Sequence, residues 1–112
     1  MLIQKSILFG SGEICLDTKN SFNISFINSE IKECSSWIMI LEGISNMQFQ
    51  NSKFDNNIIY FSKDDFIRLS GTKNIIFNNC LFFNNKNKQN NLFSLSSYEK
   101  NIKIFKFKNN KK

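Results

Sequence analysis

A chain of 112 residues and 13.1 kDa holds one domain, which excludes multidomain enzymes and most folds that enclose a large cofactor. It has no Pro, His, Ala or Val, while 18 Asn, 16 Ile, 14 Lys and 13 Phe make up 61 of the residues, so Ile and Phe must carry nearly all of the core. The net charge of +6 is lopsided: residues 1–85 sum to −1, and residues 86–112 carry eight Lys against Glu99 alone.

Ile and Phe favour strands and the best helix former is absent, so an all-β chain is expected. Without His, the Ser-His and Cys-His arrangements that activate most nucleophiles cannot form, and acid-base chemistry is left to carboxylates and Lys or Arg.

Residues 1–20 read as an irregular N-terminal strand region. Lys5, Gly10, Gly12 and Glu13 interrupt it too often for a secretory signal, and no run in the chain approaches the ~20 apolar residues of a membrane span. Cys15 is the first of three cysteines, with Cys34 and Cys80. None forms a CxxC pair, so no metal site is expected. The odd count and wide spacing fit buried small side chains better than a disulfide framework, with one bridge left open.

Residues 21–107 contain a repeat. Asn23-Ile24-Ser25-Phe26-Ile27-Asn28-Ser29, Asn46-Met47-Gln48-Phe49-Gln50-Asn51-Ser52 and Asn74-Ile75-Ile76-Phe77-Asn78-Asn79-Cys80 share N-[IM]-x-F-x-N-[SC], and a fainter copy starts at Asn101-Ile102-Lys103-Ile104. Leu41-Glu42-Gly43 also matches Leu69-Ser70-Gly71, and Phe54 to Asn57 matches Phe82 to Asn85. The apolar residues alternate, as in half-buried strands. Short strands joined by Asn, Gly and Ser corners and recurring every ~25 residues close a core only by stacking, which is the logic of a parallel β-helix rung. Asn28, Asn51 and Asn79 are expected at one corner as a ladder of amides, with Ser29, Ser52 and Cys80 as the next column.

The run L-x-G-x-x-N-[MI]-x-F-x-N-[SC]-x-F-x-N-N resembles the rungs of right-handed parallel β-helix proteins of the pectin-lyase-like superfamily. The F-x-x-N pieces are similar to repeats of polymorphic outer-membrane autotransporter proteins. The resemblance implies a right-handed solenoid of about four short rungs, a stretch of a longer solenoid or one that associates end to end, since no capping helix is evident. It also implies an extracellular or surface location, which the residues themselves do not assign.

Lys63-Asp64-Asp65-Phe66-Ile67-Arg68 leading into Ser70-Gly71-Thr72 resembles the polygalacturonase-type stretch in which a D-D pair opens a strand. That analogy gives Asp64 and Asp65 the catalytic carboxylate roles. Strand alternation places Asp64, Phe66 and Arg68 on one face and Asp65, Ile67 and Leu69 on the other, which sets Arg68 beside Asp64 on the outer surface. The N-T-D, G-H-G and R-I-K motifs of those enzymes have no counterpart here. Glu30, Glu33, Glu42, Asp55, Asp64 and Asp65 are scattered over rungs that stacking could bring together, but no calcium-loop spacing is present.

Trp37, before Ile38-Met39-Ile40-Leu41, is expected to plug the core or a corner. Residues 84–91 are polar and low in complexity, a loop bulging from the last full rung. Lys100, Lys103, Lys106 and Lys108 alternate with aromatic and aliphatic residues ahead of a basic tail, 108–112, a pattern able to hold polyanions or to block edge pairing. Nucleic acid is not the expected partner, because no RNA-binding signature accompanies the charge.

The reading is therefore a non-enzymatic structural or adhesive β-helix module, without cofactor, that offers a rung face to glycan, protein or another β-helix segment. A carbohydrate-active enzyme using Asp64, Asp65 and Arg68 is the alternative, and polyanion binding through the Lys-rich C-terminus is the second.

Overall fold

The structure, a computed structural model, describes residues 1–10, 13–59, 66–87 and 105–111. All regular structure among them is strand: β1 (Leu2–Gln4), β2 (Ile7–Phe9), β3 (Leu16–Lys19), β4 (Phe22–Ile27), β5 (Glu30–Lys32), β6 (Met39–Glu42), β7 (Ser45–Gln50), β8 (Lys53–Asp55), β9 (Ile67–Ser70), β10 (Lys73–Asn78), β11 (Leu81–Phe83) and β12 (Phe105–Lys108). Each strand pairs in parallel with the strand one repeat on. The result is three parallel sheets, β1-β4-β7-β10-β12, β2-β5-β8-β11 and β3-β6-β9.

Asparagine makes the direction changes possible. Ten of the twelve non-glycine residues with positive φ are Asn, and they fall in columns: Asn28, Asn51, Asn79 and Asn109 with Lys5; Asn23, Asn46 and Asn74; Asn56 and Asn84 with Glu33; and Asn20 with Gly43 and Gly71. Left-handed backbone costs most L residues ~1 kcal/mol or more, and Asn and Gly adopt it most readily. Composition bias alone would scatter Asn without regard to this geometry, so the register shows that its positions are structural.

Between the bends, alternation sends every second side chain inward. Ile24, Met47, Ile75 and Phe105 form one inward column, and Phe26, Phe49, Phe77 and Phe107 the next. The rings stack face to face, with centroids 4.9 Å apart for Phe26–Phe49, 5.1 Å for Phe49–Phe77 and 5.0 Å for Phe77–Phe107. Phe54 and Phe82 stack at 5.0 Å in the second sheet. Near-parallel pairs of this kind contribute about 1 kcal/mol each beyond area burial.

Two expectations are revised. Sequence alignment sets Ile102 opposite Ile75, but the pairing sets Phe105 there, three residues later. The reason is side-chain order: Phe105-Lys106-Phe107-Lys108-Asn109 repeats the in-out-in-out-corner sequence of Ile75 to Asn79. The second revision concerns the cysteines. Cys15 and Cys34 form a disulfide across neighbouring repeats, and only Cys80 is a free buried thiol. Gly10 lies against this bridge so closely that a Cβ there would sit 2.7 Å from the Cys34 Cα and 2.8 Å from the Glu33 carbonyl oxygen.

Candidate functional site

Among the described residues, most of the side-chain amides bond within the stack itself. At the exposed corner, Asn79 Nδ2 donates to Asn51 Oδ1 at 2.6 Å, and the Asn28 backbone N–H donates to the Gln50 carbonyl at 3.0 Å. Asn84 Nδ2 donates to Asn56 Oδ1 at 2.7 Å, and Asn74 bonds Asn46 in the same way. In the next column the Ser29 N–H donates to Ser52 Oγ at 3.2 Å, and the Cys80 N–H to Asn110 Oδ1 at 2.8 Å.

A second ladder is buried. Asn57 is 0% and Asn85 2% exposed, the two being joined by a bond from Asn57 Nδ2 to Asn85 Oδ1 at 2.8 Å. Asn57 Oδ1 accepts from the Cys34 N–H at 3.0 Å, and Asn85 Nδ2 donates to the Phe54 carbonyl at 2.9 Å. These side chains satisfy backbone groups that the corner would otherwise orphan inside the core.

Among the described residues, the densest cluster of charge lies on the outer face of the second sheet. Ile31 and Phe54 point inward, so Glu30, Lys32, Lys53 and Asp55 point outward. Register sets Glu30 beside Lys53 and Lys32 beside Asp55. Lys53 Nζ lies 3.7 Å from Glu30 and 4.0 Å from Asp55, and Lys32 Nζ lies 3.9 Å from Glu30. Asp55 is only 4% exposed. Its Oδ2 accepts from Asn56 Nδ2 at 3.2 Å, whereas Oδ1 is buried with no N–H or hydroxyl donor.

Burial, reinforced by the hydrogen bond to Glu30, holds the Asp55 pKa up at about 6. Glu30 is lowered, first by that hydrogen bond and then by Lys32 and Lys53. Asp55 is therefore the carboxyl that keeps its proton in mildly acidic solution, as donor, while Glu30 is the one that ionises first. Lys53 bridges Glu30 on β5 and Asp55 on its own strand, so the arrangement ties one repeat to the next.

The residues singled out from sequence are dispersed. Asp64 and Asp65 lie outside the described residues, as do Lys100 and Lys103. Arg68 is exposed on β9, its guanidinium carbon 5.8 Å from the centroid of the Trp37 ring, a cation–π contact. Ile67 is buried behind it, as the alternation requires, but Phe66 is buried too, so the alternation does not extend back through residue 66. Lys106 and Lys108 are exposed on the edge strand β12.

A shallow groove of about 430 Å³ runs along the Asn28–Asn51 corner, lined by Lys5, Ser6, Ile7, Ser29, Glu30 and Lys53. Among the described residues no group of three or more Cys, Asp or Glu could hold a metal ion, and no helix is long and apolar enough to cross a membrane. No family model, no curated protein and no solved structure matches the chain.

Proposed function

We propose that the chain is a right-handed parallel β-helix of about four rungs and serves as a non-enzymatic structural or adhesive module. The observation that carries this reading is the register: the same inward and corner positions recur in the described strands from β1 to β12, so most distinctive side chains among the described residues hold one repeat on the next. A catalyst leaves reactive groups facing a cleft. Here the strongest titratable pair is closed on itself on a flat sheet face.

The polar groove along the Asn28–Asn51 corner supports an adhesive role, because amides, a carboxylate and ammonium groups at a shallow surface suit the hydroxyls of a glycan. The test is a panel of polygalacturonate, pectin and alginate incubated with the full chain, read for reducing ends and for unsaturated products. No turnover is expected. Turnover that Asp64→Asn or Asp65→Asn abolishes would replace this reading with the carbohydrate-active one.

A further inference from the structure

The outer face of the β2-β5-β8-β11 sheet has a pattern that its own chain can read. Two outward columns cross it in register, Ile7-Glu30-Lys53-Leu81 and Phe9-Lys32-Asp55-Phe83. The centre is thus a checkerboard of two acids and two lysines, and both ends are apolar. Phe9 and Phe83 are each 55% exposed and Ile7 61%, large apolar side chains that a sheet face seldom leaves to water in such order.

We propose that this face is the docking surface for a second copy of the chain. A twofold axis lying in the face, parallel to the strands and between β5 and β8, exchanges β5 with β8 and β2 with β11. It sets Glu30 against the partner's Lys53 and, by symmetry, Lys53 against the partner's Glu30. The same operation sets Lys32 over the partner's Asp55, Phe9 against the partner's Phe83, and Ile7 against the partner's Leu81. Glu30 and Lys53 meet their opposites, twice across the axis, and every apolar residue meets an apolar one, while Asp55, 4% exposed, stays covered within its own chain; this is the self-complementarity an isologous interface demands.

Glu30 and Lys53 keep 24% and 43% of their side chains exposed, so they remain available to a partner while paired within the chain. Four strands of three residues make a patch of about 20 by 10 Å, which buries less than the roughly 1,200–2,000 Å² of stable interfaces, so the dimer is weak and concentration-dependent. This inference rests on the reading of the chain as a structural module and names its partner on a surface distinct from the rung ends; Ile7, Glu30 and Lys53 also line the corner groove, so a second copy and a glycan compete for them.

The experiment is sedimentation equilibrium of the full chain from about 5 to about 500 μM, with far-UV circular dichroism as the check on folding. The wild type should move from 13.1 kDa toward twice that mass. Lys53→Glu and Glu30→Lys each set like charges together twice across the axis, and each alone should associate at least about tenfold more weakly. An equimolar mixture of the two restores both pairs and should associate like the wild type.

Phe83→Ser removes an exposed ring without touching the charges and should also weaken association, so the inference stays testable if a charge variant fails to fold. A wild type that remains monomeric while strand-rich would overturn the docking face and leave the module reading intact. Association that none of these substitutions alters would also overturn it, since it would then run through another surface.

Discussion

Replacing Asn57 by alanine separates a structural amide from a compositional one. The side chain is fully buried and serves three partners: it accepts from the Cys34 N–H at 3.0 Å and donates to Asn85 Oδ1 at 2.8 Å and to the Ile31 carbonyl at 3.3 Å. After truncation the Asn85 oxygen keeps only the Asn57 backbone N–H at 3.3 Å, and the Cys34 N–H loses its side-chain acceptor in a site closed to water. Each buried group left unsatisfied costs about 1–3 kcal/mol, so Asn57→Ala should destabilise by about 3–4 kcal/mol. That is a large part of the roughly 5–15 kcal/mol available to a domain. Urea denaturation measures it as a fall in midpoint at constant slope. The neighbour Asn56 is exposed and has φ of 54°, so Asn56→Gly keeps the bend and gives up only the more exposed bonds to Asp55 and Asn84, at about 1–2 kcal/mol. Equal, small effects at the two positions would refute the buried ladder.

Other outcomes follow from the same geometry. The Cys15–Cys34 bridge closes a separation of 19 residues, so its reduction, or Cys15→Ser, should lower stability by about 3 kcal/mol in the chain-entropy estimate, read as a midpoint shift with and without reductant. For pH, the raised Asp55 pKa stabilises the folded state fully below its ordinary 3.8, and this contribution fades as pH rises through about 6; its upper limit is about 3 kcal/mol. The lowered Glu30 pKa acts in the opposite sense, its contribution present above 4.5 and lost as pH falls. Asp55→Asn should therefore flatten the decline between pH 4 and 6 in a urea titration, and an unchanged slope would count against the proton on Asp55. At the glycine column, Gly71→Ala meets nothing nearer than 3.9 Å and should cost only the left-handed penalty of about 1 kcal/mol, whereas at Gly43 a Cβ also meets Asn20 Oδ1 at 2.7 Å. Thermal melts should rank Gly43→Ala below Gly71→Ala.

Much of the architecture can be read from residue order, because a stacked repeat writes its packing into identical positions. The Ile/Met and Phe columns, the Asn28-Asn51-Asn79 corner and the Ser29-Ser52-Cys80 column follow directly from N-[IM]-x-F-x-N-[SC]. The fourth copy misleads since Asn101 copies the start of the motif while Phe105, Phe107 and Asn109 copy its geometry. The Asn-Asn pair at 109–110 is the better marker, as it places both the left-handed corner and the side chain that accepts from the Cys80 N–H.

Glu30 and Asp55 meet because Ser29-Glu30-Ile31-Lys32 lies in register with Ser52-Lys53-Phe54-Asp55, a match legible once the alignment is carried past the serine. Their shared hydrogen bond depends on lateral spacing between strands, which residue order does not encode. The disulfide is likewise invisible in spacing, since three cysteines allow three pairings.

The central claim is parallel, in-register stacking of the repeats. It is tested most directly by nuclear Overhauser contacts in a sample with selectively labelled phenylalanine. The account predicts that Phe49 contacts both Phe26 and Phe77, and that Phe77 in turn contacts Phe107, at ring separations of 4.9, 5.1 and 5.0 Å. Contacts of Phe77 with Ile102 or Ile104 in place of Phe107 would contradict the register of the last strand, and absence of ring contacts between repeats would contradict the stack itself.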